Sequence, residues 1–370
     1  MESDLILVIV VATALTFDFT NGFHDTANVV ATSISTRAMS PRLAVGFAAI
    51  LNFVGAFISL KVAATVAKGI VSVTDVTTTI IFAGLVGAIA WNLVTWYFGL
   101  PSSSSHALIG GVVGATFVAA GASAINGEGL LSKVVVPALI APTLAFVAAG
   151  LAILIAYRII GRQRPGPVNR GFRAGQVASG GLLALAHGTN DAQKTMGVIT
   201  LALIANGNLS SDPAKFHVPE WVVISAAAAI ALGTYTGGWR IIRTMGSRII
   251  KMDPAQGFSA QGAGAAVILA SSHFGYPLST TQVISGGVMG AGAARRLSAV
   301  RWGVAGNIAV AWVLTLPASA AIGGVVYGVT QIFGTGALGP LVVSVAILAL
   351  GMVVFARRLQ RGSPITAAEG

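Results

Sequence analysis

The sequence predicts an all-α polytopic membrane protein with about 10–12 transmembrane segments. We expect two inverted-topology repeats that contain broken helices and re-entrant or helical hairpins. Composition, the distribution of cations and internal repetition support this prediction. Of the 370 residues, 55% are hydrophobic and only 9% are charged, and the mean hydropathy is +0.84. A soluble domain of this length would carry more charge and shorter apolar runs, so the composition excludes an ordinary soluble protein.

Apolar segments follow one another along nearly the whole chain, and each predicts a helix. Their ranges are 5–35, 43–67, 76–98, 103–123, 131–159, 176–205, 219–238, 261–275, 278–293, 302–330 and 339–356. The first is longer than the roughly 20 residues that a span needs, and polar residues interrupt it at 18–25, so we expect a broken helix there. The short arms 261–275 and 278–293 predict a hairpin that turns inside the membrane.

The net charge of +11 results mainly from five short basic clusters. Their residues are Arg37 and Arg42; Arg158, Arg162, Arg164, Arg170 and Arg173; Arg240, Arg243, Arg248 and Lys251; Arg295, Arg296 and Arg301; and Arg357, Arg358 and Arg361. The positive-inside rule places all five in cytoplasmic loops or the cytoplasmic tail, without any role for nucleic acid. We therefore expect a multi-pass protein of the cell membrane, with its N-terminus outside and its C-terminus in the cytoplasm. Glu2 and Asp4 replace the basic start of a signal peptide, so we expect a retained first helix.

Internal repetition predicts how the helices are arranged. The stretch "FGLPSSSSHALIGGVVGA" at 98–115 aligns without gaps with "FGYPLSTTQVISGGVMGA" at 274–291. The match preserves the proline, the glycines and a run of hydroxyl residues. On the predicted topology, the first copy enters the membrane from outside and the second from the cytoplasm. The two copies are therefore inverted relative to each other.

A weaker repeat relates "GFHDTANVVAT" at 22–32 to "GTNDAQKTMGV" at 188–198, with one aspartate opposite the other. These two segments also cross the membrane in opposite directions. We therefore divide the chain into two inverted repeats, residues 1–165 and 166–370, which together form one transport unit. In secondary transporters of this plan the binding site lies near the bilayer midplane, where the repeats meet.

The stronger motif has the features of a helix N-terminus. Pro101 and Pro277 precede hydroxyl side chains that can cap backbone N–H groups, and a helix start favours an anion. Two such starts from opposite faces of the membrane would enclose one small oxyanion. The residues predicted to bind it are Ser103, Ser104, Ser105, Ser279, Thr280 and Thr281. The alternative is that these residues only cap helices and allow close packing.

The two aspartates of the weaker motif indicate a cation site. A carboxylate at the bilayer centre costs about 2.5–3.5 kcal/mol, so such residues are functional by default. Carboxylate and amide oxygens are ligands for hard cations, and Asp25, Asn28 and Asp191 offer both. We therefore expect a possible cation position at these three residues. A buried polar network joining the two halves is the alternative interpretation.

Lys194 stands where the first repeat has Asn28. Its ammonium group could pair permanently with Asp191 or Asp25, in place of a sodium ion, and His24 titrates near neutral pH. Both features favour protons as the coupling ion, although a snorkelling lysine is an alternative. The residues predicted to carry cation or proton coupling are Asp25, Asn28, Asn190, Asp191, Lys194 and His24.

An enzyme would require a different use of these residues. His106, His187 and His273 lack the i, i+4 partner spacing of a zinc helix, so we expect ordinary buried hydrogen bonds for them. A triad of Ser102–Ser105, His106 and Asp25 would explain neither the duplicated motif nor Lys194, and the GxSxG elbow is absent from the sequence. We predict neither enzyme activity nor a cofactor.

At these motifs the sequence resembles the PiT family of inorganic phosphate transporters, over essentially the whole chain. The family signatures correspond here to "GFHDTAN" and "GTNDAQK", and to "PSSSSH" and "PLSTTQ". The form with His24 and Lys194 is similar to the bacterial low-affinity Pit permeases and departs from the sodium-dependent members. The resemblance implies a homodimer, phosphate at the hydroxyl motifs, cations at the aspartate motifs, and proton coupling with phosphate taken as a soluble metal complex.

We therefore predict a symporter that imports inorganic phosphate with protons by alternating access. Three alternatives remain open. A sodium-coupled phosphate carrier would respond to external sodium at fixed pH. A sulfate permease, which also occurs in the family, would accumulate sulfate. A passive anion channel would dissipate gradients and never accumulate substrate.

Overall fold

The computed structural model describes residues 2–360, and the predicted tail arginines Arg357, Arg358 and Arg361 lie outside its described side chains. Its helices are α1 Glu2–Ser35, α2 Pro41–Gly55, α3 Lys61–Lys68, α4 Thr78–Phe98, α5 Ser104–Ala120, α6 Gly127–Leu130, α7 Val136–Ile160, α8 Pro165–Ala205, α9 Glu220–Thr236, α10 Trp239–Arg243, α11 Pro254–His273, α12 Thr280–Ala293, α13 Trp302–Gln331 and α14 Leu338–Gln360. Short π-helical turns follow α6 at Leu131–Val135 and α10 at Thr244–Arg248, and 3₁₀ turns occur at Ala122–Ala124, Pro213–Lys215 and Leu297–Ala299. Within the described residues the only extended pairing is an isolated bridge between Val71 and Ile125.

The predicted all-α membrane fold is confirmed. Four described helical stretches are long and apolar enough to cross a membrane: α1, α4, α13 and the run Gly127–Ile160 that contains α6 and α7. The bent pair α9–α10 is a candidate fifth span. The shorter predicted segments form hairpins or broken helices, and α8 has 41 residues because it extends beyond the predicted range at its N-terminal end.

The first segment is one continuous helix, so the predicted break at 18–25 is wrong. His24 and Asp25 bond to residues of neighbouring helices, and the backbone hydrogen bonds of α1 continue through the segment without interruption. The breaks occur instead between α2 and α3, at 56–60, and between α9 and α10, where the axis bends by 60°. Gly237 ends α9 with a φ of 73°, which lies in the left-handed region that glycine adopts readily.

The third basic cluster does not form a simple loop as predicted. Arg240 and Arg243 belong to α10, and Arg248 ends the π-helical turn that follows. The helix resumes after the break at Gly237 and Gly238 because Ile241 and Ile242 bury their side chains against the core. Burial of these two isoleucines therefore stabilises a helix where the arginines had predicted a loop.

The packing of the helices has the symmetry expected of two inverted repeats. Helix α1 packs against α9, and its counterpart α8 packs against α2. The hairpin α4–α5 is covered by α13 from the second half, whereas the hairpin α11–α12 is covered by α7 from the first half. Each half therefore completes the enclosure of the other half's hairpin.

Glycines allow the central helices to approach backbone to backbone. A Cβ atom on Gly22 would lie 2.3 Å from the carbonyl oxygen of Ile230, and one on Gly188 would lie 2.1 Å from that of Asn52. Gly22 and Gly188 are equivalent positions in the aligned motifs, and small residues of this kind are typical of close helix contacts in membranes. This approach brings the polar residues that follow each glycine into the protein centre.

The basic ends of several helices lie together. Tyr157 donates a hydrogen bond of 2.6 Å to Asp253, which is also 3.8 Å from Arg295. The backbone N–H of Arg301 donates to the carbonyl oxygen of Ile249 at 3.0 Å. These contacts join Arg295 and Arg301 of the fourth cluster to residues that lie beside or within the second and third clusters, so these three segments share one end of the molecule.

Candidate functional site

Both hairpins turn through a left-handed glycine and then begin a capped helix. Gly99 has φ 67° and Gly275 has φ 77°. Ser103 Oγ accepts a hydrogen bond of 3.1 Å from the backbone N–H of His106. Ser279 Oγ accepts the equivalent bond, of 3.3 Å, from the N–H of Gln282. The predicted capping is confirmed at both serines, and each hydroxyl proton stays free to be donated elsewhere.

The tips of the two hairpins meet inside the protein. Ser105 Oγ donates a hydrogen bond of 2.9 Å to the carbonyl oxygen of Leu278. His106 Nδ1 lies 3.4 Å from Gln282 Nε2. These contacts join residues that are more than 170 positions apart in the sequence, and they place the two hydroxyl runs face to face.

Asp25 accepts hydrogen bonds from the hydroxyl runs of both hairpins. Ser104 Oγ donates to Oδ2 at 2.6 Å, and Thr281 Oγ1 donates to Oδ1 at 3.2 Å. His24 Nδ1 lies 2.6 Å from the same Oδ1 atom. Asn28 Nδ2 donates to Thr281 Oγ1 at 2.9 Å, so it orients one of these hydroxyls.

Asp191 has the equivalent place in the second half, with a fixed cation beside it. Lys194 Nζ lies 2.5 Å from Asp191 Oδ1, and it also donates to Ser105 Oγ at 2.5 Å and to the carbonyl oxygen of Leu278 at 2.7 Å. Thr280 Oγ1 donates to Asp191 Oδ2 at 3.1 Å. Lys194 is 1% exposed, so this pairing is desolvated and the snorkelling interpretation is wrong.

Asn190 has a different position from the one expected for a coupling residue. Its amide nitrogen donates to Ser272 Oγ at 2.9 Å and to the carbonyl oxygen of Tyr276 at 3.1 Å, so it anchors the second hairpin. The carbonyl oxygens of Asn190 and Asn28 make no hydrogen bond to any part of the chain that the structure describes. Both are acceptors in the buried site, and both suit a cation.

The predicted site residues thus come together in one buried region. Each of them is at most 3% exposed: His24, Asp25, Asn28, Ser103, Ser104, Ser105, Asn190, Asp191, Lys194, Ser279, Thr280 and Thr281. Nine of them form the hydrogen-bonded network around the two aspartates, while Ser103 and Ser279 cap helices and Asn190 supports a hairpin.

His187 is a site residue that the sequence reasoning missed. Its Nε2 atom lies 3.0 Å from Asp191 Oδ2, and its Nδ1 atom lies 3.2 Å from Asn52 Oδ1. We expected only an ordinary buried hydrogen bond for His187, whereas the structure places its ring directly beside Asp191. Its i, i+4 spacing to Asp191 was the available signal, since residues four apart share one helix face.

Three acidic or imidazole groups could hold a metal ion or another cation. Ligand atoms of Asp25, His187 and Asp191 all lie within 4.8 Å of one another. This set contains both aspartates of the predicted cation site, with His187 as the third ligand in place of the predicted Asn28. Oxygen and imidazole ligands suit several cations, so the geometry fits a cation without selecting one.

Each hairpin tip also carries one basic side chain from the broken helix of the other half. Lys61 Nζ donates to the carbonyl oxygen of His273 at 2.9 Å, and Arg240 donates to the carbonyl oxygen of Tyr97. Tyr97 and His273 are equivalent under the 176-residue offset of the hairpin motifs. Both basic residues are exposed, so the two contacts form a symmetric pair at the edges of the site.

Comparison with known proteins identifies the same family as the motifs. The sequence profile of the "Phosphate transporter family" matches this chain twice, at residues 21–169 and 161–323. A protein of Mycobacterium tuberculosis (strain ATCC 25618 / H37Rv) is 53% identical over 329 residues, which cover 89% of this chain and 78% of the relative. A protein of Bacillus subtilis (strain 168) is 44% identical over 326 residues, covering 87% and 96%. Each is described as a "Probable low-affinity inorganic phosphate transporter".

A solved structure agrees with the fold. "The sodium-dependent phosphate transporter" superposes with a TM-score of 0.79 at 25% sequence identity, over 88% of this chain and 99% of that chain. The relatives and the fold are those of transporters and not of enzymes, so the rejection of a catalytic triad is confirmed. With two profile matches along most of its length and relatives more than half identical to it, the chain belongs to the phosphate transporter family.

Proposed function

We propose that the protein imports inorganic phosphate together with protons, by alternating access around the site between the two hairpin tips. The anion binds to the hydroxyls of Ser103, Ser104, Ser105, Ser279, Thr280 and Thr281. Coupling is carried by Asp25, Asn28, Asn190, Asp191, Lys194 and His24, to which the geometry adds His187. Phosphate enters as the free anion or as its soluble metal complex.

The observation that carries this proposal is the sharing of hydroxyl donors between the two hairpins and the two aspartates. Ser104 and Thr281 donate to Asp25, while Thr280 donates to Asp191. A phosphate bound at the tips needs the same donors, because its oxygens accept hydrogen bonds. Each aspartate that gives up a donor then needs a proton or cation to replace it, since an unpaired buried carboxylate is costly. Phosphate binding and cation binding therefore favour each other.

Protons are favoured over sodium by the groups that contact the aspartates. Lys194 already supplies a permanent cation to Asp191, at 2.5 Å. His24 and His187 contact Asp25 and Asp191, and an imidazole ring can bind a proton on one nitrogen while it contacts a carboxylate with the other. The binding of phosphate anions next to two carboxylates is also repulsive unless positive charge accompanies it.

Sodium coupling is the second candidate, and a specific observation supports it. The cluster of Asp25, His187 and Asp191 offers ligand atoms within 4.8 Å of one another, and the structurally similar protein is a sodium-dependent phosphate transporter. The free carbonyl oxygens of Asn28 and Asn190 add acceptors of the kind that sodium takes. Lys194 argues against sodium coupling, because its ammonium group already pairs with Asp191.

Alternating access is supported by the burial and symmetry of the site. All of the proposed site residues are at most 3% exposed, so movement of the hairpins must open the site to either side. The hairpins come from inverted halves, and rocking of one half against the other would expose the site alternately. The overlap of the two profile matches at 161–169 supports the proposed boundary between residues 165 and 166.

The remaining parts of the proposal concern the membrane and the assembly. The positive-inside rule favours a cell-membrane protein with its N-terminus outside and its C-terminus in the cytoplasm. The resemblance to the PiT family supports a homodimer. Exposed apolar side chains cover the outer faces of α7 and α13 and are available to lipid or to a second protomer, as for Leu139, Ile155 and Val313.

Phosphate uptake by proteoliposomes tests the proposal. A pH gradient imposed in sodium-free buffer should drive accumulation, and a sodium gradient at equal pH should not. The opposite result would establish the sodium-coupled alternative. Excess sulfate should compete poorly for uptake, whereas efficient sulfate accumulation would identify a sulfate permease. Equilibration without accumulation under every gradient would identify a passive channel.

A further inference from the structure

A third carboxylate lies in α1 beyond the site described above. Asp18 precedes Asp25 by seven residues, which is two helical turns or about 10 Å along the axis. It is 0% exposed. Neither of its carboxylate oxygens makes a hydrogen bond to any residue between 2 and 360 that the structure describes. Such a group needs a physical explanation, because buried polar atoms almost always have partners.

Two further oxygen atoms without partners surround Asp18. Its polar neighbours are Asn21, one turn along α1, and Thr195 of α8. Asn21 Oδ1 and Thr195 Oγ1 are buried and, within the described part of the chain, accept or donate no hydrogen bond. Four oxygen atoms from three side chains are thus gathered without a hydrogen bond among the described residues, and the Thr195 hydroxyl is the one donor among these four groups. This arrangement indicates a small positive occupant.

The nearby charges do not neutralise Asp18. The charged groups that act on its carboxylate are Lys194 and Asp191, both from α8. Lys194 uses its three N–H donors on Asp191, Ser105 and Leu278, so none is left for Asp18. Asp191 adds a second negative charge. The cluster therefore carries uncompensated negative charge whenever Asp18 is ionised.

Other titratable groups on the helices around α1 lie elsewhere. Within α1 itself, His24 contacts Asp25, and Glu2 and Asp4 are exposed at the start of the helix. His106 of α5 is buried but contacts Gln282. His187 of α8 is also buried, and its ring nitrogens face Asp191 and Asn52. The others with described side chains are exposed: Arg42, Tyr97, Arg170, Arg173, Glu220, Tyr235, Arg240, Arg243, Arg248 and His273. Asp18 is therefore the unpaired ionisable group of this region.

The inverted repeat provides an internal comparison. Under the 166-residue offset that aligns Asp25 with Asp191, the counterpart of Asp18 is Ala184 and the counterpart of Thr195 is Val29. Both counterparts are buried, at 0% and 3% exposure, and pack without polar atoms. Packing at this depth therefore does not require a carboxylate. The cluster occurs on one side of the symmetric site only, the side toward the N-terminal end of α1.

We propose that Asp18, with Asn21 and Thr195, forms a proton-binding site on the outer side of the transport centre. One added proton satisfies all four oxygens, because the protonated carboxyl group donates to Asn21 Oδ1 and accepts from the Thr195 hydroxyl. Uptake of the proton creates one O–H bond and no other covalent change. Its release toward Asp191 and the cytoplasm then contributes one proton to each transport cycle. This inference rests on the proposed proton coupling.

Equilibrium accumulation of phosphate tests the inference. Wild-type protein and Asp18→Asn are reconstituted in sodium-free proteoliposomes with the membrane potential clamped at zero, and the accumulation ratio is measured against the imposed pH gradient. Each coupled proton raises that ratio about tenfold per pH unit. We expect Asp18→Asn to lose about tenfold per pH unit while phosphate exchange at equal pH persists, because asparagine can make the same two hydrogen bonds. Asp18→Glu should restore the dependence on pH.

Asp75→Asn is the matched control, since Asp75 is an exposed carboxylate of an outer loop and should leave accumulation unchanged. The inference is overturned if Asp18→Asn retains the wild-type slope in these sodium-free vesicles. Loss of exchange as well, with normal insertion and no rescue by glutamate, would also overturn it and indicate a structural role. A wild-type protein that accumulates phosphate with sodium alone would instead contradict the proposed function itself.

Discussion

Lys194 Nζ lies 2.5 Å from Asp191 Oδ1, at the place where the first repeat has Asn28. The ammonium group also donates to Ser105 and to the carbonyl oxygen of Leu278, so it connects the second aspartate motif to both hairpins. Asn28 makes the corresponding connection through Thr281, and its carbonyl oxygen makes no hydrogen bond to the described residues. The two halves of the site are therefore alike in position and different in charge.

The ion pair between Lys194 and Asp191 predicts that the two residues affect the free energy of unfolding jointly rather than independently. Removal of one partner of a buried ion pair costs about 3–5 kcal/mol, because the other charge is left unpaired. We expect Lys194→Met to lower the free energy of unfolding by that amount in detergent. The double variant Lys194→Met with Asp191→Asn should recover much of the loss, as a double-mutant cycle will measure. Additive losses would show that the two charges do not stabilise each other.

We expect Asp191→Asn to impair concentrative uptake while the protein still folds. Asparagine keeps the shape of the side chain but removes the charge that Lys194 and His187 face. A charge-assisted hydrogen bond is worth about 2 kcal/mol, so we expect concentrative uptake to fall about 30-fold or more. Membrane insertion and elution as a single species should persist. Normal accumulation by this variant would contradict the role of Asp191 in coupling.

The hydroxyl residues of the tips divide into two groups that respond differently. Ser104 and Thr280 donate to the aspartates, whereas Ser103 and Ser279 accept the capping bonds of α5 and α12. We expect Ser104→Ala with Thr280→Ala to raise the phosphate concentration for half-maximal uptake about 30-fold, since the two lost hydrogen bonds cost about 1 kcal/mol each.

Ser103→Ala is the matched comparison for this double variant. Loss of an N-cap costs about 1 kcal/mol of stability, so the thermal midpoint in detergent should fall. If the double variant lowers only the amount of folded protein and leaves half-saturation unchanged, the residues act as structural elements alone and the anion site lies elsewhere.

Sequence reasoning predicted the main features of this site because they are repeated. The hydroxyl motifs, the paired aspartates and Lys194 all stand out against an apolar background, and duplication fixes their pairing. Sequence reasoning failed where contacts between helices determine the local structure. The polar residues of 18–25 predicted a break in α1, but Asp25 and His24 are bonded across helices, so the helix stays intact.

Other features depend on contacts that no single stretch of sequence displays. Asp18 makes no hydrogen bond to the described residues, and its neighbour Thr195 comes from α8, far along the sequence. His187 contacts Asp191 from the same helix face, which the spacing permits, but its second partner Asn52 comes from α2. The symmetry of Lys61 and Arg240 likewise appears only when each broken helix packs against a hairpin tip.

The glycine contacts between central helices predict a sharp effect on stability. A Cβ atom on Gly188 would lie 2.1 Å from the carbonyl oxygen of Asn52, which is backbone and cannot move aside cheaply. We expect Gly188→Ala to destabilise the protein by about 1–3 kcal/mol, as overpacking does. Gly262→Ala in α11 is the control, because no atom of the described chain outside its own helical turn lies within 4 Å of its added Cβ. Equal thermal midpoints for the two variants would contradict the close approach of α2 and α8.

Lys61 and Arg240 are expected to attract phosphate to the site electrostatically. On the proposed topology, Lys61 acts from the outer side of the membrane and Arg240 from the cytoplasmic side. Each basic group is exposed beside one hairpin tip, and a positive charge at the edge of a site raises the local concentration of an anion. We expect Lys61→Gln to raise half-saturation for uptake from outside about two- to fivefold at low salt, and Arg240→Gln to do the same for efflux. Because salt screens exposed charges, both effects should shrink above about 0.5 M potassium chloride. If each substitution changed both directions equally and independently of salt, the residues would act by holding the hairpin tips through the carbonyl oxygens of His273 and Tyr97, and the steering of phosphate by charge would be wrong.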